Sequence, residues 1–209
     1  MPRTPEAQFP ALAAHIPDPE VRALFTWPFL RVSEIFDELV DAASAEILKR
    51  AGAWPVAPGT SPAGLVAARG WAPRSLPLVA FVHGKLAASG HLVASDGTYA
   101  PSGSEPGSFE ALEAELAAAE PDAAVAGEAV RILIEELGLF LSGEKTGEEI
   151  LFRPDRLPLW FRYFSNRNLL YSVNNHLGAL ALSRLLPESG GRVLEIGGGA
   201  GSAAEAALA

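Results

Sequence analysis

Residues 192–209 read RVLEIGGGAGSAAEAALA, and this stretch decides the fold class. Val193, Leu194 and Ile196 predict a short buried strand, and the alanine-rich residues 202–209 predict the start of a helix. Between strand and helix lie four glycines: Gly197, Gly198, Gly199 and Gly201. Such a turn can take positive φ angles and approach a ligand closely. In an open parallel sheet it lies at the edge where ligands bind.

Two cofactor classes could occupy this turn, and the residues favour one of them. A dinucleotide brings an anionic pyrophosphate, which needs N–H donors and no nearby carboxylate. The third glycine of the dinucleotide pattern would fall at Ser202, and Glu195 lies close to the strand end. S-adenosylmethionine instead brings a sulfonium and an ammonium group, which a carboxylate stabilises. The sequence therefore favours S-adenosylmethionine, and a purely structural turn without a ligand is the alternative.

Composition excludes several functions. The chain has 209 residues, 49% of them hydrophobic, which is enough for one large or two small domains. A net charge of −9 disfavours nucleic acid and anionic membranes as partners. Without cysteine there is no disulfide, thiolate nucleophile or Cys-type zinc site, and we expect no metal. Since no signal peptide or membrane-spanning run is present, we expect a cytoplasmic protein.

The rest of the sequence predicts a mainly α-helical chain in four parts. These are an N-terminal arm and helix (1–40), a winged-helix-like module (41–103), a helical linker or lid (104–187) and the incomplete start of a Rossmann-like domain (188–209). In the lid we expect continuous helices over about 122–141 and 160–186, with a polar loop over 143–158 between them.

The winged-helix interpretation depends on the order helix, short helix, helix and hairpin, with Asp96-Gly97 as the hairpin turn. A DNA-binding module of this kind needs basic residues on its second long helix and its hairpin. That helix offers only Arg74 and Lys85, and the hairpin offers none. The composition therefore favours protein packing, homodimerisation included, over DNA binding.

Three segments carry a resemblance to known families. VLEIGGGAG looks like motif I of the class I S-adenosylmethionine-dependent methyltransferases. LSGEKTGEEILF, followed by LWFRYF and LLYSVNNHLGALALSRLLP, is similar to the helical lead-in of C-methyltransferase domains from polyketide assembly lines. The winged-helix-like part resembles the N-terminal domain of small-molecule O-methyltransferases. The resemblance covers most of the chain from about residue 40 onward, but only residues 192–209 carry a sharp motif.

The resemblance implies methyl transfer from S-adenosylmethionine to a small molecule or to a polyketide-like acyl chain on a carrier. It implies that Glu195, Gly197, Gly199 and Gly201 cradle the methionine part of the cofactor, with Ile196 and Gly198 as backbone neighbours. It also implies that Tyr163, Tyr171 and Asn174 close over the cofactor from the preceding helices. No residue of the chain is identified as the catalytic base.

Simpler interpretations stand beside these assignments. Tyr163 and Tyr171 have the spacing of core aromatics. Asn174 and Asn175 lie in mid-helix and need partners, which a ligand or a neighbouring helix would supply. His83 is expected to be a packing residue of the winged-helix-like module.

A class I methyltransferase needs more parallel strands than this sequence supplies, so we expect the chain to be incomplete and inactive alone. Residues 192–209 should then be poorly ordered, docked differently from the intact fold or paired with another chain. An expressed fragment, a shortened gene product and half of a split enzyme all fit. A non-catalytic docking or dimerisation module is the main rival function, and a DNA-binding regulator is a third.

Overall fold

The computed structural model describes residues 15–187 and 189–209, so most of the predicted N-terminal arm lies outside the described residues. The described chain is mainly helical. Its α-helices are α1 (Pro19–Ala23), α2 (Trp27–Arg50), α3 (Pro62–Arg69), α4 (Leu76–Ala88), α5 (Phe109–Ala119), α6 (Ala124–Glu135), α7 (Leu137–Leu141), α8 (Gly147–Leu151), α9 (Leu157–Tyr163), α10 (Leu169–Leu185) and α11 (Ser202–Leu208). Strands β1 (Leu92–Ser95) and β2 (Thr98–Pro101) form an antiparallel hairpin.

The chain divides into two compact units. Residues 35–115 and 127–157 form one, which we call the hairpin unit. Residues 15–34, 116–126 and 158–209 form the other, which we call the turn unit. No described helix is long and apolar enough to cross a membrane.

In the hairpin unit, side-chain caps and residues with positive φ set the ends of helix α3 and the turn of the hairpin. Ser61 accepts a hydrogen bond from the Gly64 amide at 3.1 Å and caps the start of α3, and Gly70 ends it with a φ of 65°. Asp96 and Gly97 both have positive φ, which gives the tight turn between β1 and β2. Tyr99 of β2 also bridges Thr60, just before α3.

The core of this unit joins α2, α4 and the hairpin. Its buried members come from all three and from the α2–α3 connection: Ala45, Leu48, Val56, Val82, Leu86 and Leu92. The order of helices and hairpin agrees with the sequence-based expectation, and the winged-helix assignment stays an interpretation of that order.

Two helices expected to be continuous are interrupted. The helix expected over 122–141 breaks at Glu136, whose carboxylate accepts hydrogen bonds from Arg156 and Lys145. The helix expected over 160–186 is broken between α9 and α10, and Asn168 caps the second part by accepting from the Leu170 amide at 3.2 Å. At the second break the Asn168 side chain binds nearby backbone, which competes with helix continuation.

The polar loop expected over 143–158 contains a short helix, α8. Thr146 accepts from the Glu149 amide at 3.1 Å, while the Glu149 carboxylate accepts from the Thr146 amide at 2.7 Å. This reciprocal pair is a capping box, which supplies partners for the first free amides of the helix.

The strand expected over residues 192–196 does not form. The segment has no strand partner within the described residues, whose paired strands are those of the hairpin. A strand needs a neighbour for its backbone hydrogen bonds, so the apolar pattern alone cannot produce one. Leu194 and Ile196 are consequently 83% and 89% exposed. Of the expected strand–turn–helix unit, the turn and the helix, α11, are formed.

Candidate functional site

The glycine turn is built from backbone that only glycine adopts easily. Gly197, Gly199 and Gly201 have φ angles of 79°, 53° and 77°. The Gly201 amide donates to the Gly198 carbonyl at 2.7 Å and closes the turn, and the Gly201 carbonyl accepts from the Glu205 amide at 2.9 Å to start α11. A Cβ added at Gly197 or Gly201 would meet no atom within 4 Å, so both face open space.

The Glu195 carboxylate lies against this turn. A Cβ at Gly198 would be 3.3 Å from the Glu195 carboxyl carbon, so the side chain folds over the bend. Glu195 and the turn are exposed, apart from the half-buried Gly198. The turn therefore combines a negative charge with bare, accessible backbone, which suits a ligand with cationic or hydrogen-bond-donating groups.

Beside Glu195 lies a cavity of about 610 Å³ between α10, residues 191–195 and α11. Its lining is mostly apolar, and Leu182, Leu186 and Ala207 are examples. The polar side chains in its wall are those of Asn174, Asn175 and Glu195. The structure thus brings Glu195 and Asn174, both predicted site residues, to the same cavity.

The two adjacent asparagines of α10 have different environments. Asn174 is exposed and lines the cavity. Asn175 is 9% exposed and donates through Nδ2 to Asn166 Oδ1 at 2.8 Å. Asn175 therefore has the structural hydrogen-bonding role, and Asn174 is the one open to a ligand.

Tyr163 and Tyr171 do not line the cavity. They pack with Trp160 and Phe164 in an aromatic cluster, in which the Tyr163 and Phe164 ring centroids are 5.2 Å apart and the Phe164 and Tyr171 centroids 5.1 Å apart. Burial, and to a smaller extent the neighbouring Tyr171, raises the pKa of the Tyr163 hydroxyl. Both tyrosines are half-buried in this cluster, and their assignment to the cofactor stays a prediction.

Sequence reasoning missed Asn166 and Asn168, which lie between α9 and α10. Asn168 is fully buried, and its amide donates to the Tyr163 carbonyl at 2.9 Å. Asn166 donates to the Ser202 carbonyl at 2.7 Å, directly after the glycine turn. The SNRN run at 165–168 was the available signal, because asparagine favours helix caps and breaks.

The similarity of this chain to known proteins lies in its structure. No protein-family model and no curated protein sequence matches it. Its structure is similar to the crystal structure of selenomethionine-substituted CurJ carbon methyltransferase, with a TM-score of 0.66 and 21% identity. The match covers 94% of this chain and 55% of that chain, so the chain spans about half the length of the methyltransferase. At this identity the two proteins share a fold, which is mainly helical over the part that the structure describes.

Proposed function

We propose that the chain is the N-terminal part of an S-adenosylmethionine-dependent methyltransferase. The observation that carries the proposal is the Glu195 carboxylate folded over a turn with three left-handed glycines. The structural similarity to a carbon methyltransferase supports the same class.

The residues at the turn fit this cofactor better than a dinucleotide. The sulfonium and ammonium groups of S-adenosylmethionine are positive, and Glu195 is negative and accessible. A pyrophosphate at the same place would meet that carboxylate and be repelled. The open space facing Gly197 and Gly201 leaves room for a ligand against the backbone. Asn174 can add a hydrogen bond from the cavity wall.

In the proposed reaction, S-adenosylmethionine supplies an activated methyl group. The contribution of this chain is to bind and orient: Glu195 and the glycine turn hold the methionine part so that the methyl group faces an acceptor. Such orientation provides much of the acceleration in a displacement reaction. We propose that the methyl acceptor is a small molecule or a polyketide-like acyl chain on a carrier. A C-methyl or O-methyl acceptor also needs a general base, which we do not assign to this chain.

The hairpin unit supports a protein-packing role over a nucleic-acid one. The Lys85 ammonium lies 2.6 Å from Asp37 and 3.3 Å from Asp41, so its charge is already balanced. Phe81 on α4 and Val93 on β1 are 57% and 55% exposed. These exposed apolar side chains favour the second candidate function, a non-catalytic winged-helix-like module that docks a partner or forms a homodimer.

Titration of the 209-residue chain with S-adenosylmethionine and, separately, with NAD⁺ tests the proposal. Isothermal calorimetry should show saturable micromolar binding of S-adenosylmethionine and none of NAD⁺. Binding of the dinucleotide would contradict the cofactor assignment. If neither S-adenosylmethionine nor NAD⁺ bound, the docking module would be the better explanation of the chain's function. A low-salt gel shift with duplex DNA should show no shift, and a salt-sensitive shift would point to the DNA-binding regulator.

A further inference from the structure

Both the nitrogen and the oxygen of the Asn166 side-chain amide make hydrogen bonds, and together these bonds connect α10 to the end of the glycine turn. Its Nδ2 donates to the Ser202 carbonyl at 2.7 Å and to Glu205 Oε2 at 2.8 Å, and its Oδ1 accepts from Asn175 Nδ2 at 2.8 Å. A carbonyl and a carboxylate oxygen can only accept hydrogen bonds. The orientation of the Asn166 amide is therefore fixed by its partners.

The element that Asn166 holds cannot be stable by itself. Helix α11 has seven residues, fewer than an isolated helix needs, and it follows a turn of flexible glycines. Its order depends on packing, and Ser202 and Ala206 are the residues that it buries. Ser202 directly follows Gly201, so a bond to the Ser202 carbonyl restrains the last residue of the turn.

We propose that Asn166 is a positioning residue for the glycine turn. It does not touch the ligand; it keeps the backbone of residues 197–201 ordered by fixing the first turn of α11 to Asn175 on α10. This inference rests on the proposed function, because the benefit of an ordered turn is tighter binding of S-adenosylmethionine. A turn ordered in advance loses less conformational entropy when the ligand binds.

Substitutions at Asn166 and Glu205 separate this role from simple packing. Asn166→Ala removes all three hydrogen bonds. Asn166→Asp keeps the shape but places a carboxylate against the Ser202 carbonyl and the Glu205 carboxylate, so it should be worse than alanine. Glu205→Gln alone should be mild, because the glutamine oxygen still accepts from Asn166. In the double variant Asn166→Asp/Glu205→Gln the glutamine amide can donate to the carboxylate introduced at position 166, so part of the loss should be recovered.

Hydrogen–deuterium exchange of the ligand-free 209-residue chain tests the positioning itself. Peptides that cover residues 197–208 should exchange faster in Asn166→Ala and faster still in Asn166→Asp. They should exchange at close to the wild-type rate in Glu205→Gln, and the double variant should lie between Asn166→Asp and wild type. Peptides from the hairpin unit, such as those over β1 and β2, are the internal control and should not change. Equal exchange over 197–208 in wild type and both Asn166 variants would overturn the proposal.

Calorimetric affinity for S-adenosylmethionine is the second readout. We expect roughly fivefold to tenfold weaker binding in Asn166→Ala, from the loss of a few hydrogen bonds, at temperatures where circular dichroism shows the variant folded. If exchange increases but affinity does not change, Asn166 stabilises the helix without positioning the site, and the proposal fails. If wild type does not bind the cofactor at all, the proposed function fails, while the exchange experiment still decides whether Asn166 orders the turn.

Discussion

Acidification should destabilise the hairpin unit through one buried side chain, His83. Its ring is fully buried, and Nδ1 lies 2.7 Å from the Val79 carbonyl oxygen, so Nδ1 carries the proton and donates. Nε2 is then the unprotonated nitrogen, and it has no hydrogen-bond partner in the described part of the chain. A proton added at Nε2 would place a charge in the core, where the His83 and Tyr99 ring centroids are 5.1 Å apart. Burial therefore lowers the pKa of His83 below its usual 6.5, although the bond to Val79 opposes the shift.

The direction and size of the change in the free energy of unfolding follow from this lowered pKa. The unfolded chain takes up a proton at His83 near pH 6.5 and the folded chain only at lower pH, so stability is complete above pH 6.5 and falls below it. If His83 stays unprotonated in the folded state, the free energy of unfolding falls by about 1.4 kcal/mol between about pH 7.5 and about pH 5.5. This is the largest loss that His83 alone can cause over that interval.

Urea unfolding followed by circular dichroism at the same two pH values measures this loss. His83→Leu removes the titrating group at similar volume. The free energy of unfolding of this variant should therefore lack the His83 contribution, which is up to about 1.4 kcal/mol of the loss in wild type over the same interval. His91→Gln is the matched control, and it should keep the wild-type pH dependence because it retains His83. Equal pH dependence in wild type and His83→Leu would show that His83 does not cause the loss of stability.

Three further predictions concern local stability, each measured as the free energy of unfolding in urea. Leu86→Ala should cost about 2–5 kcal/mol because Leu86 is fully buried in the core of the hairpin unit, and a cost below about 1 kcal/mol would contradict that placement. Thr146→Ala should cost about 1 kcal/mol through loss of the capping box of α8, and an unchanged stability would argue against the cap. Gly143→Ala should cost more than Gly59→Ala: both glycines have φ near +80°, but only at Gly143 would the new Cβ meet another atom, Ala72 Cβ at 2.9 Å. Equal costs at the two glycines would show that the contact is relieved at no cost.

Local signals in the sequence were sufficient where a structure is defined by a few neighbouring residues. Thr60 or Ser61 before Pro62, with Gly70 at the far end, are sufficient signals for α3 because caps act within one turn of a helix. The Asp96-Gly97 pair predicted the hairpin because its residues accept positive φ. The capping box at Thr146 is equally local, yet the sequence predicts only a polar loop there.

Interactions between distant residues explain what the sequence did not predict. Glu136, at the break between α6 and α7, contacts Arg156, twenty residues away, and Asn166 contacts Ser202 and Glu205, more than thirty residues away. The expected strand over 192–196 shows the same dependence, since a strand forms only when a partner is present. At the candidate site, spacing predicts Glu195 and the glycines as ligand-binding residues, whereas the cavity that Glu195 and Asn174 both line is visible only in the fold.

In the proposed function, the Glu195 carboxylate faces a cationic ligand across the glycine turn. The most direct test compares the calorimetric dissociation constant of S-adenosylmethionine for wild type, Glu195→Gln and the control Glu38→Gln, an exposed carboxylate on α2. We expect roughly threefold to tenfold weaker binding in Glu195→Gln, since an exposed charge contributes modestly, and an unchanged dissociation constant in Glu38→Gln. Equal affinity of wild type and Glu195→Gln would contradict the claim.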